Sequence, residues 1–185
     1  VLEAPPMFRI PVDESLDLVL LEPRHAPLLY TAVDENRAHL RRYLPWVDAT
    51  RNANDSALFI QGCLEQFARG VSVNVGLFSR GQLAGMCGTH TVQWSNRRTE
   101  LGYWLSERWQ GRGLMTRAVR ALGSYCVHSL ALNRLEIRAA TENARSRKVA
   151  ERLGFKLEGT SRQAEWLYDH FVDHAIYGVL ASEWR

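Results

Sequence analysis

The chain has 185 residues, 46% hydrophobic and 23% charged, with a net charge of +3; this suits one domain over residues 1–185 with a real core and lacks the basic stripe of a nucleic-acid binder. Three widely spaced cysteines, Cys63, Cys87 and Cys126, exclude a disulfide framework and a zinc knuckle. No apolar run approaches the ~18 residues of a membrane span and no basic-then-apolar leader opens the sequence, so the cytoplasm is the expected compartment.

All six prolines lie at or before Pro45. After an irregular lead marked by Pro5, Pro6 and Pro11, Leu16-Asp17-Leu18-Val19-Leu20-Leu21 reads as a strand. Residues 24–43 read as helix in two short pieces. Pro27 suits a first turn there, and Leu28, Leu29, Ala32 and Val33 recur on one face. Asn54-Asp55 open another helix to about Arg69, with Leu58, Phe59, Cys63, Leu64 and Phe67 on its apolar side. Strands follow at about 71–79, 83–94 and 97–105, divided by short polar breaks that suit antiparallel neighbours. A helix over 112–128 carries Leu114, Met115, Ala118, Val119, Leu122 and Cys126 at helical spacing. Residues 134–139 alternate as a strand, and 143–153 form a short helix ended by Gly154. Strands at 155–167 and 172–180 complete a mixed α/β (α+β) sheet with helices on its faces.

The most informative stretch is Gln110-Gly111-Arg112-Gly113, between the strand Leu101–Leu105 and the helix after it. Two glycines at a helix start let several backbone N–H groups point into one concavity, where the helix dipole also favours an anion. Alone, the same turn equally suits a plain strand–helix connection. The nucleotide-triphosphate loop is excluded because no lysine follows Gly113, and the dinucleotide fingerprint because its third glycine is Thr116. A second motif lies about thirty residues on: Asn143-Ala144-Arg145-Ser146, then Leu153-Gly154-Phe155 and Leu157-Glu158-Gly159.

Together these motifs resemble the acyl-CoA site of the GNAT N-acetyltransferases, in which Gln/Arg-x-x-Gly-x-Gly/Ala cradles the pyrophosphate of coenzyme A. Gln110 and Gly113 match that pattern, while Met115 departs from its usual small last residue. Leu101-Gly102-Tyr103-Trp104-Leu105, Gln110–Met115 and Arg162-Gln163-Ala164-Glu165 are similar to the ribosomal-protein N-acetyltransferases of the Rim type. The resemblance implies a mostly antiparallel seven-stranded sheet, splayed at the acyl-CoA site, with helices on both faces. It also implies acetyl-CoA as cosubstrate, no metal, and a family habit of pairing as homodimers.

It further implies residue roles. Near Trp104 and Leu105 the splayed strand would offer backbone groups to the pantetheine arm, and an N–H near Leu105 would steady the oxyanion. The Trp104 side chain reads as a core aromatic. Gln110, Gly111, Arg112, Gly113, Leu114, Met115 and Thr116 form the phosphate-loop set, with Arg117, Arg145 and Arg147 as further candidates for phosphates. Asn143 suits both pantetheine contact and a helix N-cap. Ser146, one turn on, would protonate the leaving thiolate, or is a solvated helix serine. Direct transfer needs a neutral amine, so a carboxylate is expected to take its proton. Glu165 is the first choice and Glu100 the second, each otherwise a surface-paired carboxylate. The expected acceptor is the N-terminal α-amine of a protein, a ribosomal one by the resemblance. A small cationic amine is the rival, for which Asp48, Asp169 and Asp173 are the acidic candidates. A non-catalytic CoA-binding module is the third reading.

Overall fold

The computed structural model describes Pro6 and residues 8–185; the lead at Pro5 lies outside them. Eight strands form one sheet in the order β1-β2-β3-β4-β5-β6-β8-β7. They are β1 (Arg9–Asp13), β2 (Leu16–Leu20), β3 (Asn74–Ser79), β4 (Gln82–Thr89), β5 (Arg98–Leu105), β6 (Arg134–Ala140), β7 (Lys156–Leu167) and β8 (His170–Leu180). The fold class is the expected one with an eighth strand. Pro11, which by sequence belongs to an irregular lead, sits inside β1 at the sheet edge, with a register shift between Pro11 and Asp13. Proline has no N–H for a ladder, but an edge strand needs only one bonded side. That tolerance hides the strand from a reading that treats proline as a breaker.

Among the described residues five α-helices flank the sheet: α1 (Ala26–Asp34), α2 (Arg37–Leu40), α3 (Ala53–Ala68), α4 (Leu114–Ser124) and α5 (Ala144–Arg152). Asn52 starts α3 by accepting hydrogen bonds from the N–H groups of Asn54 and Asp55, a side-chain cap. On one face Leu29, Val33, Leu40 and Ile60 from α1, α2 and α3 bury against Leu83 and Met86 of β4. On the other, Leu114, Ala118, Val119 and Leu122 of α4 and Val149 and Ala150 of α5 bury against Val75, Leu101, Leu135 and Ile137. The α4 stripe is a helical-period apolar face, and burying it is what docks the phosphate turn at its head. No helix is long and apolar enough to cross a membrane among the described residues.

Every strand pairing is antiparallel except β5 with β6. That parallel seam joins only Arg98–Glu100 to Arg134–Glu136, while β4 follows β5 to Leu105 and β8 follows β6 to Ala140. Beyond Glu100 the two half-sheets therefore part. The bonded pairs on the β4 side are fixed by His90 N–H to the Glu100 carbonyl, 2.8 Å, and Ser106 N–H to the Ala84 carbonyl, 2.9 Å. Hydrogen-bonded and non-bonded pairs alternate along an antiparallel ladder. So Tyr103 and Leu105, which occupy the non-bonded pairs opposite Cys87 and Gly85, direct their N–H and C=O groups away from β4 and into the gap.

Candidate functional site

The head of α4 faces one side of the gap. Gly111 has φ +75° and Gly113 φ +70°, left-handed values that side chains disfavour. A Cβ at either position would meet no protein atom within 4 Å, so the space beside them is open. The Gln110 N–H is taken by the Glu107 carbonyl, and the Arg117 N–H by the Gly113 carbonyl. Among the described residues, no N–H from Gly111 to Thr116 donates to a backbone carbonyl. This row of free donors, headed by the helix dipole, is an anion nest. Leu114 and Met115 are buried, so they can serve an anion only through their backbone. Bulk at Met115 is compatible with the turn because its side chain packs in the core and not against the open space.

A cavity of about 1240 Å³ runs from this turn to α5. Arg42, Arg112, Arg117, Arg145, Lys148 and Arg152 line it, against Glu107 and Glu142. Some of these cations already have partners. Arg112 lies 5.2 Å from the centroid of the Trp109 ring, Arg117 pairs with Asp13, and Arg145 donates to the Gln110 side-chain oxygen. The Gln110 amide nitrogen in turn lies 2.7 Å from His39 Nε2. Burial holds the His39 imidazole below its ordinary pKa, and the neutral ring is free to accept that bond. Gln110 thus ties α2 to α5 across the cavity mouth. Nothing in a linear motif marks Arg42, Lys148 and Arg152. Arg147, a phosphate candidate by sequence, is turned away: it donates to Tyr177 Oη and to the Thr141 carbonyl, both at 3.0 Å.

Asn143 caps α5, its Oδ1 accepting from the Ser146 N–H at 3.1 Å. The cap leaves its amide NH2 uncommitted, so capping and ligand contact are compatible. Ser146 Oγ donates to Tyr103 Oη at 3.2 Å, and Tyr103 Oη donates to the Ser146 carbonyl at 3.0 Å. Burial pushes the Tyr103 phenol up to about 12. In the sequence Tyr103 is marked only as part of a strand pattern. Its place beside the Ser146 hydroxyl depends on the gap, which no local signal reveals.

A second cavity of about 780 Å³ lies on the α1–α3 side and holds both candidate bases, Glu100 and Glu165. Tyr43, Leu44, Tyr103, Trp104, Asn143 and Ser146 line both cavities. The two spaces therefore meet at the parted strands. Trp104 packs with the α1–α3 cluster, its ring centroid 6.2 Å from that of Trp46. Glu100 is engaged twice, by Arg138 Nε at 3.3 Å and His90 Nε2 at 3.7 Å. Glu165 meets His174 Nε2 at 3.2 Å through one oxygen. The acidic residues considered for a cationic acceptor are not gathered here. Asp48 pairs with Arg41, Asp169 with His170, and Asp173 accepts the Gln163 N–H.

The family model described as acetyltransferase (GNAT) domain matches residues 15–156. The chain is 33% identical over 168 residues to the ribosomal-protein-serine acetyltransferase of Escherichia coli (strain K12), covering 91% of this chain and 94% of that one. Among solved structures, it is similar to the RimL ribosomal L7/L12 alpha-N-protein acetyltransferase in complex with coenzyme A. There the TM-score is 0.91 at 29% identity, covering 94% of this chain and 98% of that one. It is also similar to the microcin C7 self immunity acetyltransferase MccE in complex with acetyl-CoA and AMP. That match has a TM-score of 0.87 at 25% identity, covering 91% and 94%.

Proposed function

The chain belongs to the acetyltransferase (GNAT) family and is an acetyl-CoA-dependent N-acetyltransferase; from this premise we propose that its acceptor is the N-terminal α-amine of a ribosomal protein. The observation that carries the reading is the meeting of two cavities, one cation-lined beside an anion nest and one bearing carboxylates. Acetyl-CoA fits the first, its phosphates on the N–H groups of Gly111–Thr116 and on Arg42, Lys148 or Arg152. Its thioester then lies in the gap, near the Leu105 N–H, Asn143 and Ser146. The acceptor enters the second cavity.

In this reading Glu165 takes a proton from the acceptor's ammonium group, and the lone pair of the resulting neutral amine attacks the thioester carbonyl carbon. The oxyanion is stabilised by the Leu105 N–H, which faces the gap unpaired. The carbon–sulfur bond then breaks, the thiolate takes the proton of the Ser146 hydroxyl, and Ser146 Oγ regains one from the nitrogen, which sheds one of its two protons to become the neutral amide. Tyr103, hydrogen-bonded to Ser146 Oγ and to the Ser146 carbonyl, keeps its own proton and orients the hydroxyl. Glu100 is the reserve base. We place the reaction in the cytoplasm, with the enzyme a homodimer after the family habit and no nucleic acid bound directly.

The small-molecule reading is favoured by one neighbour, the MccE complex with acetyl-CoA and AMP. Purified enzyme and acetyl-CoA, offered ribosomal proteins, N-terminal peptides and an amine panel, decide between the two by mass. A shift of about 42 Da, one acetyl group for a hydrogen, on a protein N-terminus supports the proposal. A shift confined to the amine panel transfers the role.

A further inference from the structure

We propose that His174 is a positioning residue for Glu165, brought to it by an insertion in β7; the inference rests on the reading of Glu165 as the base. The register carries the argument. Ser161 lies opposite His174, whereas Glu165 lies opposite Val172, with a shift between them. Three residues of β7, 162–164, therefore oppose Asp173 alone. An unbroken ladder would put Gln163 opposite Val172 and Glu165 opposite His170.

Two extra residues keep Glu165 on the same face, where one would flip it to the other side. They also draw Glu165 about 7 Å along the strand toward His174, at ~3.4 Å per residue. Glu165 and His174 thereby become diagonal cross-strand neighbours, within reach of each other. The insertion is held from both sides. Gln163 adopts φ +48°, a left-handed value uncommon outside glycine. Its N–H donates to the Asp173 carboxylate at 2.7 Å, and the Asp173 carbonyl accepts from the Thr141 N–H at 2.9 Å, at the end of β6. Conserving a face while changing a register is what a bulge that re-aims a side chain does.

The contact assigns a chemical role. His174 Nε2 lies 3.2 Å from Glu165 Oε2, and a carboxylate can only accept, so Nε2 carries the proton. His174 and Glu165 both line the acceptor cavity. The imidazole fixes one carboxylate oxygen and leaves Oε1 to take the amine proton. Glu100 is held by an arginine and a histidine instead, so the two carboxylates are distinguished by their holders.

Steady-state kinetics with a synthetic peptide beginning with serine, following thiol release, tests this. His174→Ala should lower kcat roughly 10- to 100-fold, the scale of a misaimed catalytic group, with the KM for acetyl-CoA unchanged. His174→Gln keeps an N–H donor and should restore most of the loss. Adding His174→Ala to Glu165→Gln should cost nothing more, because the residue being positioned no longer works as a base. An undiminished kcat in His174→Ala overturns the assignment. So does a Gln variant as slow as the Ala variant, or losses that multiply. If the wild type acetylates no peptide, the acceptor reading fails instead, and imidazole 15N shifts still test the pair. They should report the Nε2–H tautomer in the wild type and a mixture in Glu165→Ala, whereas an Nδ1–H tautomer in the wild type overturns the pair.

Discussion

At the scale of single residues, the two candidate bases differ in what holds them. Glu100 engages Arg138 and His90, whereas Glu165, among the described residues, engages a histidine through one oxygen. Glu165→Gln keeps the shape and removes the basicity, so kcat at neutral pH should fall by roughly 10²–10⁴. An α-amine with pKa about 7.7–8.0 is increasingly neutral as pH rises, so part of the rate should return at high pH. Glu100→Gln should cost less at every pH. Side-by-side pH–rate profiles check the ranking, and the opposite order gives the base role to Glu100. The two carboxylates were legible as candidates because they lie in motif-bearing strands. What separates them was not, because the Glu165–His174 contact is made by an insertion whose left-handed residue is Gln163, with no glycine to mark it.

At the scale of elements, the α4 head joins a local signal to a packed helix. Gly111 and Gly113 were legible because left-handed backbone beside an open space selects for glycine wherever it occurs. Arg42, Lys148 and Arg152 were not, since only the approach of α2 and α5 across the turn brings them to one cavity. Gly113→Ala puts a Cβ at φ +70° with no protein atom nearby. It should lower stability by about 1–2 kcal/mol, the cost of left-handed backbone with a Cβ, and weaken acetyl-CoA roughly tenfold, about 1.4 kcal/mol. Gly113→Glu, adding like charge, should weaken it further. Calorimetric titration and denaturant unfolding check the pair. Unchanged affinity in both variants removes the phosphate-nest assignment.

For the whole molecule, the succession of elements was legible from hydrophobic pattern and polar breaks, apart from the edge strand that Pro11 conceals, whereas the place of β8 between β6 and β7 was not. The parting of β5 from β6 was expected from resemblance alone, since strand pairing is a long-range property that hydrophobic alternation does not report. Acetyl-CoA binding across that gap should raise thermal stability by linkage: about 2.7 kcal/mol at a hundred times Kd. For a domain of this size that is roughly 5–11 °C in Tm. Differential scanning fluorimetry across a ligand series checks it, and no shift at saturating acetyl-CoA counts against binding in the folded state.

The two cavities that meet at Tyr103, Trp104 and Ser146 have a consequence for the order of events. Each reactant has its own doorway, so neither must leave before the other arrives, and the donor need not park its acyl group on the protein. Reciprocal plots of rate against one reactant, at several fixed levels of the other, should intersect rather than run parallel. Parallel lines would mean that one doorway serves both reactants in turn.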